Sequence, residues 1–266
     1  MALDPRTPVL VGVGQVNARP DPDLPIAERA EPVDLMARAL LSAAADCGPG
    51  GAGDRLLARA DSIRIVRPVG WRYLNPGALV AERLGITPAE EMLTATGGNS
   101  PQALVNQTAL ALAAGELGVA LVAGADCIYT RVAARRDPDR PVLPWTTQPA
   151  GTAEPVPTGT ERNPTTEVEE ERGLDRPSTV YPLFENALRA AVGRSIGEHQ
   201  VRISELWSRF SEVAATNPHA WTTEARTAEE IRTVSPANRM VAFPYPKLLN
   251  ANDRVDQGAA LILCTV

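Results

Sequence analysis

Few side chains in this sequence could act as nucleophiles. The cysteines Cys47, Cys127 and Cys264 lie far apart, and no His or basic residue stands beside any of them to lower the pKa of the thiol. Ser100 precedes Pro101, a pattern typical of a helix N-cap, where the hydroxyl serves in capping rather than in chemistry. The sequence therefore predicts cysteines that fill the core or a turn, and no catalytic serine.

A glycine turn is the feature best suited to bind a ligand. Gly97, Gly98, Asn99 and Ser100 connect a predicted strand to a predicted helix. Two glycines here could leave backbone N–H groups facing a phosphate, because the N-terminus of a helix favours anions. A turn that needs a positive φ angle explains the same two glycines equally well.

The composition is that of a folded globular protein with an acidic balance. The chain has 266 residues, of which 44% are hydrophobic and 22% charged. A net charge of −6 gives no basic surface for nucleic acid or an anionic membrane. Lys247 is the single lysine, and this arginine bias favours guanidinium contacts to carboxylates or phosphates. The scattered cysteines predict neither a metal site nor a disulfide framework.

The sequence shows no pattern of a secreted or membrane-spanning protein. Its first residues lack a basic segment followed by an apolar run. The most apolar stretch, 103–124, is interrupted by the polar residues Asn106, Gln107 and Glu116. We therefore expect a cytoplasmic protein without a membrane span.

Alternating strand and helix patterns predict an α/β layered fold with a mostly parallel central sheet. The helix at 100–115 is almost uncharged, so we expect it to start near Pro101 and to lie buried between layers, with Ala103, Leu104, Ala109 and Leu110 inside. Buried strands are predicted at 8–16, 62–66, 91–97, 119–126 and 256–266, and helices at 32–48, 76–85 and 100–115.

The middle of the chain has a different character. The stretch 138–178 is rich in Pro and Thr and predicts a long surface loop or a partly disordered segment. Helices are predicted after it at 180–192, 197–217 and 222–231. The expected domains are therefore an α/β domain over 1–127 and 241–266 and a helical insertion over 128–240.

Several separated motifs resemble the amino-terminal half of the thiolase superfamily. They are TATGGNSPQALVNQTALALAAGELGVALVAGAD at 94–126 and VDQGAALIL at 255–263. The insertion is similar to the sterol-carrier-protein thiolase branch through ENALRAAVGRSIGEHQ, AATNPHAW and the stretch 244–249. The whole chain most resembles actinobacterial thiolase-like proteins described as acetyl-CoA acetyltransferases. The resemblance implies a thiolase-like layered fold in which 128–240 is the loop domain.

The same resemblance implies candidate ligand contacts. The turn at Gly97, Gly98, Asn99 and Ser100 would face a CoA thioester. In the loop domain, Asn217 and His219 of the sequence NPHAW and the arginine Arg194 would meet CoA. Each has a structural alternative, since NPHAW could be a Pro-containing helix stop, and arginines such as Arg194 usually lie on a solvated helix face.

Two departures from the family pattern limit the activity that we expect. The alignment puts Gly97 where thiolases have their nucleophilic Cys, so the sequence predicts no catalytic residue at that position. The Gly-His-Pro histidine and the second cysteine motif of the carboxy-terminal thiolase half are absent. The implied function is binding of CoA or acyl-CoA without thiolase activity on its own and without a covalently bound cofactor.

The resemblance leaves an alternative open. The chain could be an active acyltransferase or carbon–carbon lyase when a carboxy-terminal half or a partner subunit completes it. A half-thiolase would leave apolar surface uncovered, which predicts a homo-oligomer or pairing with a carboxy-terminal thiolase half or an OB-fold partner.

Overall fold

A computed structural model of the chain describes residues 3–163 and 165–266. It contains two compact units: the first joins the described residues up to Arg162 with Asp253–Val266, and the second is Asn163–Asn252. These boundaries lie downstream of the predicted ones at 127/128 and 240/241. The first unit holds the central sheet.

The described strands form one six-stranded sheet and one two-stranded sheet, and they include a counterpart of every predicted strand. In chain order they are β1 (Pro8–Asn17), β2 (Ser62–Ile65), β3 (Glu90–Thr94), β4 (Val119–Cys127), β5 (Val156–Thr158), β6 (Met240–Ala242), β7 (Tyr245–Pro246) and β8 (Asp256–Thr265).

The helices alternate with the strands in the first unit and dominate the second. In chain order they are α1 (Pro32–Asp46), α2 (Ala52–Ala58), α3 (Pro76–Leu84), α4 (Ser100–Ala114), α5 (Ile128–Arg136), α6 (Glu167–Glu171), α7 (Pro177–Ala191), α8 (Ile196–Thr216) and α9 (Ala228–Arg232). The helix predicted at 222–231 is the shorter α9, whereas α5 and α6 have no predicted counterpart.

The six-stranded sheet has the order β1-β8-β4-β2-β3-β5. Strands β4, β2, β3 and β5 are parallel neighbours, whereas β8 runs antiparallel to both β1 and β4. The sheet is therefore mostly parallel, as predicted, and the last strand of the printed sequence lies between the first and the fourth.

The two faces of this sheet are covered unequally. Helices α1, α2 and α3 pack on one face, where Leu40, Ile63 and Leu121 are fully buried. Helix α4 packs on the opposite face through Leu104 and Leu112, which contact Val122 of β4. The result is a layered α/β arrangement with three helices on one side of the sheet and α4 on the other.

Helix α1 approaches the sheet closely because β1 presents glycines to it. A Cβ atom built on Gly14 would lie 2.0 Å from the Ala39 carbonyl oxygen, and one on Gly12 would lie 2.2 Å from that of Ala43. Any side chain at these positions would push helix and strand apart, so the glycines set the spacing of the two layers.

The Pro/Thr-rich stretch is more ordered than its composition predicts. Trp145 is 7% exposed, and β5 adds a parallel edge strand to β3. The buried Glu31 carboxylate holds this stretch to the helices: it accepts from the Thr146 N–H at 2.9 Å and lies 2.5 Å from Arg83 Nη2. The segment thus finds polar partners in the unit that the composition alone does not reveal.

The second unit has a small core of its own. Ile203 of α8, Ile231 of α9 and Leu249 are buried together. Helix α8 begins with a capping box in which the Ser195 hydroxyl and the Glu198 carboxylate bond each other's backbone N–H groups.

Candidate functional site

The glycine turn lies at the carboxyl end of β3 and leads directly into α4. The backbone N–H of Ala95 donates to the Thr158 carbonyl of β5 at 2.7 Å, which fixes the start of the turn. Gly97, Gly98 and Asn99 are exposed, and in the described part of the chain no acceptor faces their N–H groups. The turn is therefore open to a ligand and carries the partial positive charge of a helix N-terminus.

Ser100 is engaged, but not as the predicted N-cap. Helix α4 begins at Ser100 itself, so Asn99 occupies the N-cap position and makes no side-chain capping bond. The Ser100 hydroxyl instead donates to the Ala95 carbonyl at 2.9 Å. The capping prediction was wrong because the helix starts one residue earlier than expected, although the hydroxyl is still held away from chemistry.

The structure rules out one of the two explanations of Gly97 and Gly98. Neither glycine has a positive φ angle, so the turn does not require them for backbone conformation. A Cβ on Gly98 would meet no atom within 4 Å, and one on Gly97 would meet only side-chain atoms, the nearest being Asn99 Oδ1 at 2.8 Å. What the glycines provide is open space above the turn.

A charged pair beside the turn was missed from the sequence. Glu161 Oε1 accepts from the Thr96 N–H at 3.1 Å and lies 3.6 Å from Arg67 Nε. Arg67 Nε also donates to the Thr94 carbonyl at 2.9 Å. Arg67 is the second residue after the carboxyl end of β2, so its nearness to the turn could have been inferred from the parallel neighbours β2 and β3. The position of Glu161 could not, because it depends on β5.

Two carboxylates, one half-buried and one buried, hold the loops at this end of the sheet. Asp126, at the end of β4, accepts from the Gly70 N–H at 2.7 Å and the Val69 N–H at 2.9 Å. Asp256 accepts from the Thr130 hydroxyl at 2.5 Å. Burial raises the pKa of both carboxyls, and these hydrogen bonds act in the opposite direction.

None of the cysteines is placed to substitute for a nucleophile at the turn. Cys127 is fully buried, and burial raises its thiol pKa, with the charges of Asp256 and Asp126 adding to the effect. Burial also raises the pKa values of Cys47 and Cys264. The three thiols therefore stay protonated at neutral pH, as the sequence predicted for unactivated cysteines.

The candidate contacts in the second unit do not come together. Arg194 precedes α8, whereas Asn217 and His219 follow it, and 21 helical residues span about 30 Å. The Asn217 side chain accepts from the His219 N–H at 2.9 Å, the geometry of a turn that follows a helix stop. One small ligand group cannot contact both ends of this helix.

A His–Glu–Tyr cluster in the second unit, in which only the His is fully buried, was also missed. His199 is 4% exposed, and its Nε2 lies 2.6 Å from Glu185 Oε1. The Tyr245 hydroxyl donates to the other oxygen of the same carboxylate. The sequence gives no signal for this cluster, because its members come from α7, α8 and β7.

The described residues offer no group of three or more His, Cys, Asp or Glu side chains that could hold a metal ion. The described helices also include none with the length and apolar character needed to cross a membrane.

Comparison with known proteins finds similarity in solved structures alone. No family model matches the sequence, and no curated protein is similar to it. The chain is similar over 100% of its length to a monomeric SCP2-thiolase-like protein type 1 from Mycobacterium smegmatis, with 32% identity and a TM-score of 0.75.

More distant structures share the fold. The Ltp2-ChsH2(DUF35) aldolase has 18% identity and a TM-score of 0.64, and the match covers 98% of this chain and 56% of that one. Human mitochondrial 3-ketoacyl-CoA thiolase in complex with CoA has 13% identity and a TM-score of 0.52, and the match covers 98% of this chain and 65% of that one.

The match to the mycobacterial protein spans 47% of that protein's length, so this chain corresponds to about half of it. The layered sheet, the turn before α4 and the similarity over the whole length of this chain agree with one another. The chain belongs to the thiolase superfamily, in its sterol-carrier-protein thiolase-like branch.

Proposed function

We propose that this chain binds CoA or an acyl-CoA at the turn before α4 and lacks thiolase activity by itself. The observation that carries the proposal is the open turn, in which Gly97 stands where the thiolase pattern has its nucleophilic cysteine. The turn retains the backbone geometry of a helix N-terminus but has no sulfur.

The physical chemistry of the turn suits binding better than covalent catalysis. The free N–H groups of Gly97, Gly98 and Asn99 can donate to a thioester carbonyl oxygen or to a phosphate oxygen. No acyl-enzyme can form at Gly97, since a thioester needs a thiol. The raised pKa values of the three cysteines remove the substitutes.

The comparisons support a CoA-type ligand without assigning one. The human thiolase was solved with CoA, and that protein shares the fold at 13% identity. Arg194, Asn217 and His219 remain candidate contacts for a CoA ligand, with Arg194 separate from the other two. The cytoplasmic location stays a prediction from the sequence.

The second candidate function is an acyltransferase or carbon–carbon lyase completed by another chain. Helix α4 leaves Ala103 and Leu110 exposed, and Leu110 is 72% exposed, although the sequence predicts that both are buried. A carboxy-terminal thiolase half, an OB-fold partner or a second copy could cover this surface. The aldolase among the structural neighbours is itself described with a DUF35 partner.

The test is binding of CoA and acetoacetyl-CoA by isothermal titration calorimetry, with Gly98→Asp and its isosteric control Gly98→Asn. Both variants have room at this position. We expect the carboxylate of Gly98→Asp to weaken binding about tenfold through repulsion of the ligand oxygens. Gly98→Asn should bind within about twofold of the unmodified chain, because it adds no charge.

Two results would overturn the proposal: no heat of binding for either ligand, or equal affinity of the Asp and Asn variants. Thiolysis of acetoacetyl-CoA by the chain alone would refute the absence of thiolase activity. Thiolysis or lyase activity that appears only after addition of a carboxy-terminal half or partner would establish the second function.

A further inference from the structure

A pocket lies in the first unit, and its lining does not include the turn. It has a volume of about 480 Å³, and its lining includes Trp71, Arg131, Ala134, Arg135, Arg140 and Leu143. None of these residues belongs to the turn or hydrogen-bonds to it. We propose that this pocket binds a phosphate monoester carried on a planar or apolar group.

The aromatic wall of the pocket is held in place. Trp71 Nε1 donates to the Thr146 carbonyl at 3.0 Å, and the indole packs edge-on against Trp145 with ring centroids 5.1 Å apart. Trp145 is itself buried and donates to the Arg29 carbonyl. Because the one polar atom of Trp71 is already bonded, this side chain can offer a ligand only apolar ring surface.

Two of the arginines that line the pocket form no ion pair in the described part of the chain. Arg131 donates to the Gly70 carbonyl, and its charge partly offsets the burial that raises the pKa of Asp126, so its guanidinium already has partners within the protein. Arg135 and Arg140 form no ion pair with any described residue, and no acidic residue lines the pocket. Two free guanidinium groups match the double charge of a phosphate monoester.

The backbone at Arg140 is unusual. Its φ angle is +43°, the one positive φ of a non-glycine residue in the described ranges. The Arg140 N–H donates to the Asp137 carbonyl at 3.0 Å, which closes the turn after α5. A non-glycine residue held at a positive φ is sterically disfavoured, and such residues cluster at ligand sites.

Arginines at a helix C-terminus have an ordinary explanation, since they complement the negative end of the helix dipole. Arg135 and Arg136 are both in the last turn of α5 and are both exposed. Only Arg135 lines the pocket. The helix explanation therefore predicts that substitution of either arginine changes ligand binding equally, whereas the pocket explanation predicts that only substitution of Arg135 weakens it. This difference supplies the control for the test.

The inference goes beyond the proposed function, because it involves none of the residues of the turn. The phosphate monoester could be the 3′-phosphate of CoA or belong to a free nucleotide. Both sources offer the same chemistry, a dianion attached to a group that can stack on Trp71.

The test is calorimetric titration of the full chain with AMP, phenyl phosphate and adenosine at pH 7.5 and low salt. We expect AMP or phenyl phosphate to bind at one site and adenosine to bind at least about tenfold more weakly. The double variant Arg135→Gln/Arg140→Gln should weaken binding of the phosphate monoester at least about tenfold, whereas Arg136→Gln should change it by less than about twofold.

The pH dependence provides a second readout. A phosphate monoester loses its second proton near pH 6, so binding should weaken as the pH falls from 7.5 to 5 in the unmodified chain but not in the double variant. Circular dichroism should show the same helix content in all variants, since the substituted side chains are exposed.

The inference is overturned if neither AMP nor phenyl phosphate binds at millimolar concentration, or if Arg136→Gln weakens binding as much as the double variant. Gly98→Asp should leave AMP binding unchanged, which separates this site from the turn. Tighter binding of CoA than of dephospho-CoA, lost in the double variant, would identify the CoA 3′-phosphate as the source. Equal binding of the two would identify a free nucleotide.

Discussion

The three thiols and Gly97 decide which covalent chemistry this chain can perform. A thiolate at the start of α4 would be stabilised by free N–H groups, whereas the existing thiols are destabilised as anions by burial. The family's nucleophile position and the actual cysteines therefore have opposite electrostatic environments.

This contrast predicts the outcome of alkylation. At pH 7, iodoacetamide should modify Cys47, Cys127 and Cys264 more slowly than a free cysteine, whereas the new thiol of Gly97→Cys should react faster than all three. The variant should fold, since the atoms nearest the added Cβ are the exposed Asn99 Oδ1 at 2.8 Å and Ser100 Oγ at 3.2 Å, both in side chains rather than in the backbone. Peptide mass spectrometry identifies the modified residue.

The control is the unmodified chain incubated with acetoacetyl-CoA. Detection of an acyl group on any native cysteine would contradict the expected absence of an acyl-enzyme. Neither protein should carry out thiolysis, because both lack the acid/base motifs of a second thiolase half.

The buried carboxyl of Asp256 predicts a specific pH dependence of stability. Its pKa in the folded state is raised above the ordinary value of 3.8, so over the intervening pH range the folded state binds more protons than the unfolded state. The contribution of Asp256 to stability is therefore lost as the pH rises through the folded pKa. Asp256→Asn keeps an acceptor for Thr130 and removes this titration.

Urea unfolding of both proteins between pH 4 and 7 measures the effect. The free energy of unfolding of Asp256→Asn, relative to the unmodified chain, should increase with pH. Asp126 shares the raised pKa and is present in both proteins, so its contribution cancels. A pH-independent difference would show that Asp256 titrates alike in the folded and unfolded states.

At the level of single residues, the sequence predicts the position of the turn but not the side chains that surround it. Gly97 to Ser100 could be placed between a strand and a helix because both neighbours have strong local patterns. Glu161 could not be placed beside Thr96, since that contact depends on a strand of three residues within a Pro/Thr-rich stretch. The His199–Glu185 pair likewise depends on tertiary packing.

Among the elements, the contact of α1 with β1 sets the strictest steric requirement. Gly14→Ala would place a methyl group 2.0 Å from a carbonyl oxygen of α1. We expect it to lower the free energy of unfolding by about 3 kcal/mol, because neither the helix backbone nor the paired strand can move freely. Chemical denaturation provides the measurement.

Gly98→Ala is the matched control, since its Cβ meets no atom within 4 Å and its φ is not positive. It should change stability by less than about 0.5 kcal/mol. Equal stability of the Gly14 and Gly98 variants would mean that the layers can separate without loss of packing.

The sequence predicts the long elements well and the short ones poorly. Strands such as β4 and helices such as α1 have apolar patterns long enough to specify their type. Strand β5 has three residues and α9 has five, so each depends on tertiary partners rather than on periodicity. The helical pattern of 100–115 correctly predicts α4, but the prediction that Ala103 and Leu110 are buried is wrong, because an uncharged sequence does not fix which faces of a helix are covered.

In the first unit as a whole, the uneven covering of the sheet bears on assembly. Leu110 of α4 is 72% exposed, and many of the neighbouring residues of the helix are also exposed. If a second copy covers this surface, light scattering at micromolar concentration should give a particle larger than the 28.3 kDa chain. Leu110→Glu should then shift the population towards the monomer.

Leu41→Glu is the control, because Leu41 is also exposed but belongs to α1, which packs on the face of the sheet opposite to α4. A monodisperse 28.3 kDa particle that melts cooperatively and binds no dye specific for apolar surfaces would contradict self-association. A shift caused equally by both variants would point to a surface other than that of α4.

The place of β8 in the sheet has a consequence for the kinetics of folding. Pro8 pairs with Thr265, so β1 gains its hydrogen-bonded neighbour from the opposite end of the printed sequence. The ladder β4-β2-β3 can form from closer segments, but β1 and α1 must wait for closure of a very long loop. Such non-local pairing gives a high contact order and slow folding. During that delay β1, with Leu10 and Val13, remains an unpaired apolar strand that can pair with other chains.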